Sequence, residues 1–229
     1  MKKKASLLIL VLVLLLGILP ASSSATFNDI SDPNTALAAA VLEGMGIVNG
    51  VSENTYAPNQ RLTRAEFCAI AVRALGLEDE VSFHSYRTIF SDVRPGSWYT
   101  GYVNLAYTKG IINGYENGKF GPDDGINYGQ AATIMLRLLG YAAKDIGSSW
   151  PDDYVYFENN LGLQKGLWLN ANTPLTRGQA AVIVYNTLGT RTKAGAYYYS
   201  TIKGVAYTKD AIVLSTDAAK SLVLVFPTL

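Results

Sequence analysis

Few side chains in this sequence could carry out bond-making chemistry. Cys68 is the only cysteine and His84 the only histidine. One of each cannot form an intramolecular disulfide or a histidine-rich metal site, and much common hydrolytic chemistry is disfavoured. Cys68 lies inside an apolar helical stretch and reads as a small buried hydrophobe. The pairs Asp123-Asp124 and Asp152-Asp153 could be offered as acid and base for glycan cleavage. Neighbouring carboxylates on a loop or a helix start are more often solvated turn residues. We therefore expect no catalytic residue, no metal and no cofactor.

The elements that would position any site begin with a leader. Lys2, Lys3 and Lys4 precede an apolar run from Leu7 to Leu19, followed by Pro20 and the small residues Ser23-Ser24-Ala25. This pattern predicts a signal peptide over 1–25, cleaved after Ala25, because the run is too short for a permanent membrane helix. Without the three lysines, 16 Lys and Arg stand against 18 acids, a formal −2. That balance, with no basic cluster, argues against nucleic acid as a partner, and no membrane contact is expected after cleavage. The 229 residues, 49% hydrophobic, suit one compact domain with appendages.

The chain repeats itself. Gly46-Ile47-Val48-Asn49-Gly50 matches Gly110-Ile111-Ile112-Asn113-Gly114 at an offset of 64, which also pairs Pro58 with Pro122 and Leu75 with Leu139. Phe27-Asn28-Asp29-Ile30 matches Phe90-Ser91-Asp92-Val93 with one residue of slack. A shorter third copy places Gly162-Leu163-Gln164-Lys165-Gly166 before Thr176-Arg177-Gly178-Gln179, and Trp150 precedes Tyr154 as Trp98 precedes Tyr102. Each copy reads as helix, glycine-bounded loop, helix. First helices are predicted near 34–45, 97–109 and 152–161. Second helices start at the capping boxes Thr63–Glu66, Asn127–Gln130 and Thr176–Gln179. The second helices are apolar enough to form a shared core that no single repeat could bury alone.

The predicted fold class is mainly α: three helix-loop-helix repeats in a pseudo-threefold arrangement around a central helical bundle, with a small β-rich C-terminal tail. The boundaries are 26–89, 90–144, 145–190 and 191–229. Within the tail, 196–201, 204–208, 211–215 and 221–226 are expected as strands, being rich in Tyr, Val, Ile and Leu.

The Phe-x-Asp starts, the Gly-Ile-x-x-Gly centres and the Thr-Arg-Ala-Glu and Thr-Arg-Gly-Gln helix starts resemble the S-layer homology domain over about residues 27–189. The resemblance implies three repeats with grooves between neighbours, and non-covalent anchoring to a secondary cell-wall polysaccharide, typically one bearing a pyruvylated amino sugar. It also implies a secreted, cell-surface location. Carried onto this chain, the family's binding positions are Asp29 and Asp92, Trp98 and Trp150, Gly50, Gly114 and Gly166, and Arg64 and Arg177. Tyr128 replaces the arginine of the second repeat and Asn34 the tryptophan of the first, so one or two competent grooves are expected rather than three.

The chemistry of such a ligand suits these residue types. An arginine at the first position of a helix can join free N–H groups and the positive end of the helix dipole to hold a carboxylate. Trp98 can lie against a sugar face, and glycines let backbone donors approach closely. The caps and aspartates have structural uses as well, and a protein-binding scaffold or a wall-glycan hydrolase is the alternative function. Oligomeric state is not legible.

Overall fold

The computed structural model describes residues 27–201 and the strands at 206–208, 211–215 and 221–225. The expected signal peptide lies outside the described residues. The helices are α1 (Pro33–Gly44), α2 (Arg64–Ala74), α3 (Thr100–Thr108), α4 (Tyr128–Leu138), α5 (Ala143–Ile146), α6 (Asp152–Leu161) and α7 (Arg177–Leu188). Short 3-10 turns occupy Glu78–His84 and Tyr198–Thr201.

Local signals fix where these helices begin and end. Asp32 caps α1, accepting from the Thr35 amide at 2.7 Å, with Pro33 at the first helical position. The helices α2, α4 and α7 each start at a complete capping box, on Thr63, Asn127 and Thr176. Gly46, Gly110 and Gly162, with φ of +69°, +72° and +78°, turn the chain out of α1, α3 and α6. Helix α3 begins at Thr100 rather than 97, because Ser97 to Thr100 closes as a turn with the Thr100 amide on the Ser97 carbonyl.

The three loop ends form a closed hydrogen-bonded ring. The Leu62 amide donates to the Leu175 carbonyl, Leu175 to Ile126, and Ile126 back to Leu62, each at 3.0 Å. All three side chains are buried, and each contributes roughly 1.5–3 kcal/mol of hydrophobic stabilisation. Helix packing obeys the same cycle: α2 packs on α3, α4 on α6, and α7 returns to α1. Every second helix thus pairs with the first helix of the next repeat, and the last closes on the first. The interior is the expected mainly α, pseudo-threefold core, with Phe67, Met135 and Ile183 fully excluded from solvent.

In the tail, β1 (Ala206–Thr208), β2 (Ala211–Ser215) and β3 (Ser221–Val225) form an antiparallel meander in that order. Val213 stands opposite Ala206 on one side and Val223 on the other. Residues 196–201, expected as a strand, instead make a single β-bridge from Tyr197 to Arg191 and then the 3-10 turn Tyr198–Thr201. Packing overrides propensity there: Tyr198 is buried, with its hydroxyl on the Ala74 carbonyl (3.0 Å) and its amide on the Thr190 carbonyl (2.8 Å).

Candidate functional site

The cyclic pairing means that each groove is built by two or three repeats. Helix α2 sends Arg64 across to the second repeat, where Nε donates to the Phe120 carbonyl at 2.9 Å and Nη2 to the Asn113 carbonyl at 3.4 Å. The guanidinium lies 4.6 Å from the Tyr115 ring centroid and 4.8 Å from that of Phe120. Arg177 does the same to the first repeat, with Nε on the Tyr56 carbonyl (2.8 Å) and Nη2 on Asn49 (2.7 Å). Tyr128 takes the corresponding place against the third repeat, where its hydroxyl donates to Glu158 and meets Asn159.

At the tips of α2, α4 and α7 the first three amides are all engaged. At α2, the first two N–H groups go to the Asp124 and Pro122 carbonyls (2.8 and 3.1 Å), and the Glu66 amide goes to the Thr63 hydroxyl. The same three bonds recur at α4, to Thr173, Ala171 and Asn127, and at α7, to Gln60, Pro58 and Thr176. An anion site made of arginine plus free helix amides is therefore ruled out by the neighbouring loop, which saturates those donors first. Any anion must be held by groups other than these helix-tip amides.

One groove supplies them. A cleft of about 370 Å³ lies between the repeats, lined by Arg64, the Ile112–Tyr115 loop, Phe120 and Ile126, the α4 residues Gln130, Thr133, Ile134 and Arg137, and Trp150 with Tyr154. Arg137 donates through Nη1 to the Ile111 carbonyl at 3.2 Å. Its Nη2 reaches the Asn113 side-chain oxygen at 3.1 Å when that amide is turned to donate to Ile112. Trp150 stands at the rim, 55% exposed, its indole N–H anchored on the Thr133 hydroxyl at 3.0 Å. Burial lowers the pKa of Arg64 and of Arg137 from the usual arginine value, yet an arginine stays charged at any physiological pH. Neither makes an ion pair with a carboxylate among the described residues. Two guanidinium groups, an exposed indole face and a backbone loop thus converge on one cleft, a set able to hold a planar acid carried on a ring.

A sequence model of the S-layer homology domain matches residues 27–68 and 89–132. The chain belongs to the S-layer homology family. Among relatives, it is similar to a cell surface protein of Thermoanaerobacter kivui, with 36% identity over 169 residues, covering 73% of this chain and 22% of that protein. A surface layer protein of Brevibacillus choshinensis is 32% identical over 142 residues, 62% of this chain and 12% of the relative. An amylopullulanase of Thermoanaerobacterium thermosulfurigenes is 35% identical over 181 residues, 71% of this chain and 9% of the relative. The chain thus spans less than a quarter of the length of these relatives.

The other S-layer homology positions fall in distinct places. Asp29 accepts from the Tyr56 and Ala57 amides (2.8 and 2.7 Å), and Asp92 from the Phe120 and Gly121 amides (2.8 Å each). Each carboxylate braces the loop below its groove with both oxygens engaged. The Tyr56 amide is the chief cause of the lowered pKa of Asp29; at Asp92 burial opposes ionisation and the Phe120 and Gly121 amides outweigh it. Gly50 and Gly114 are pressed by the phenylalanines of their own repeats: an added Cβ would stand 2.7 Å from Phe27 and 2.3 Å from Phe90. Gly114 also lines the cleft. Gly166 is exposed at φ +84°, near Asn34. Trp98 is 58% exposed beside Tyr99 and Tyr102.

Sequence reasoning missed Arg137, Gln130, Thr133, Tyr115 and Tyr154. A signal for Arg137 existed: it and Arg73 occur at the offset of 64, each a lone cation late in an apolar helix. Cys68 is buried and its thiol pKa is pushed up to about 12 by burial, as befits an inert core residue.

Proposed function

We propose that this chain is a non-catalytic anchoring module of a secreted protein, holding it at the bacterial cell surface through a secondary cell-wall polysaccharide that bears a pyruvylated amino sugar. The observation that carries this reading is the cleft in which Arg64 and Arg137 face the same space as Trp150, with no lining carboxylate. A ketal-pyruvylated sugar presents a fixed carboxylate beside an apolar ring face. In this reading Arg137 and the outward N–H groups of Arg64 take the carboxylate, Trp150 takes the ring, and Gln130 and Asn113 serve the hydroxyl and acetamido groups. Membership of the S-layer homology family and the surface-protein relatives support wall attachment. The relative that is an amylopullulanase matches this chain over only 9% of its own length.

Cosedimentation with purified walls, before and after chemical removal of pyruvate, tests the proposal. Binding should be lost with the pyruvate. Arg137→Gln should weaken binding by roughly tenfold or more, as expected when a charge-assisted hydrogen bond worth about 1.5–3 kcal/mol is removed. Equal binding to walls stripped of pyruvate would refute the ligand.

A further inference from the structure

We propose that the two arginine-bearing grooves are unequal, the Arg64 groove being the single strong site for the acidic sugar and Glu78 the residue that holds the Arg177 groove closed to it. This inference rests on the reading of the cleft given above and concerns which copy of it works.

The repeat offset puts the two grooves in register. Arg177 and Arg73 in one stand where Arg64 and Arg137 stand in the other, and Trp98 stands where Trp150 does. By this correspondence the Arg177 groove has, like the other, two guanidinium groups and a tryptophan, with Arg73 and Trp98 both beside Tyr102, and the two grooves differ in counter-charge. Arg137 binds only carbonyl-type oxygens. Arg73 is instead captured: its Nε lies 3.2 Å from Glu78 Oε2, and its Nη2 donates to the Tyr102 hydroxyl at 2.7 Å. The Tyr102 hydroxyl in turn donates to Glu78 Oε1 at 2.5 Å. The triad is closed, with both oxygens of Glu78 engaged.

Two further carboxylates stand in the same repeat. Glu66 completes the α2 capping box at the position where α4 has the neutral Gln130, and Glu43 lies against the Gly50 amide. At the offset of 64, Glu43, Glu66 and Glu78 become Tyr107, Gln130 and Ala142. All three acids of the Arg177 groove are thus absent from the Arg64 groove. The carboxylates that act on Arg64 are Asp124, which accepts from the Tyr115 hydroxyl at 3.0 Å, and Asp92, which is engaged by the Phe120 and Gly121 amides; neither lines the cleft. A sugar carboxylate entering the Arg177 groove must expel Glu78 from Arg73 and then sit beside Glu66. In the Arg64 groove it meets no such competitor.

Glu78 lies on the 3-10 turn with its side chain 52% exposed, so Glu78→Gln is compatible with the fold. Calorimetric titration with the methyl glycoside of ketal-pyruvylated N-acetylmannosamine is the test, with helical circular dichroism confirming that each variant is folded. The unsubstituted protein should bind one equivalent, and Arg137→Gln should weaken that binding by roughly tenfold or more. Glu78→Gln should add a second equivalent by tightening the Arg177 groove at least about tenfold, and this second site should survive in the Glu78→Gln, Arg137→Gln double variant. Two equal sites in the unsubstituted protein, or one unchanged site in Glu78→Gln, would overturn the inference while leaving the ligand reading intact. Absence of binding in every variant would overturn both.

Discussion

Replacing Arg64 with alanine should destabilise the fold before it says anything about binding. The side chain is 8% exposed and crosses from one repeat to the next, closing on the carbonyls of Phe120 and Asn113. The bond to Phe120, at 2.9 Å, is buried and charge-assisted, and is worth about 1.5–3 kcal/mol. The contact to Asn113 at 3.4 Å is long and adds little. Stacking on Tyr115 and Phe120 at 4.6 and 4.8 Å adds about 0.5–2 kcal/mol for a desolvated guanidinium. The total is roughly 3 kcal/mol, a fall in Tm of roughly 6–12 °C for a domain of this size. Urea and thermal unfolding of the purified chain would measure it. Arg64→Lys should recover at most half, because an ammonium cannot reproduce the planar stack and the fork together. A loss below about 1 kcal/mol for alanine would refute the bracing role. It would also restore Arg64→Ala as a clean probe of binding, a use the geometry otherwise denies it.

Three further outcomes are expected. Gly114→Ala should cost about 1–3 kcal/mol, since its Cβ would meet Phe90 at 2.3 Å and the Lys119 carbonyl at 2.7 Å; Gly46→Ala, strained in φ with open space around it, is the comparison that separates crowding from backbone strain in equilibrium unfolding. Asp92→Asn should remove part of the acid lability: the depressed folded pKa of Asp92 means that its stabilisation is present above its unfolded value near 3.8 and is lost as pH falls through the folded value, so the variant's stability should fall less steeply below about pH 4. Glu158 is fully buried with Oε1 unpartnered among the described residues, and burial raises its pKa from 4.5 to about 7; a raised acid is stabilising below its unfolded pKa and loses that contribution as pH rises towards the folded value, so Glu158→Gln should gain roughly 3 kcal/mol on the native protein between about pH 4.5 and pH 8, and parallel stability–pH curves for the two would contradict this.

Much of the architecture was legible because it is written in short-range signals. Thr63, Asn127 and Thr176 mark helix starts through chemistry contained within four residues, and the glycines after α1, α3 and α6 mark the ends in the same way. The site was less legible because its parts come from different repeats. Nothing local to Arg64 says that its partner is Asn113 rather than Asn49, and that choice follows from α2 packing on α3 instead of on α1. The same long-range step hid the saturation of the helix-tip amides, since their acceptors, Asp124 and Pro122 at α2, lie some sixty residues away along the chain. Residues 196–201 misled for a related reason: their strand-like composition serves to bury Tyr198 against the end of α2.

The position of Arg64 is filled in three chemically different settings, and comparing them separates bracing from binding. Arg64 closes on Phe120 and Asn113, Arg177 on Tyr56 and Asn49, and Tyr128 on Glu158 and Asn159. All three join the second helix of one repeat to the next repeat, which the cyclic pairing of helices requires at every corner. Because Tyr128 does this without charge, a cation there is not needed for assembly. What an arginine adds is residual positive charge after its carbonyls are satisfied. That charge acquires a use only where a second cation faces it and no carboxylate quenches it, a condition met by Arg137, spoiled for Arg73 by Glu78, and absent where Asn186 replaces both in α7. In this reading the anchoring capacity of each groove is set less by the helix-start arginine than by the cation that the next repeat brings to face it, and by whether a carboxylate holds that cation.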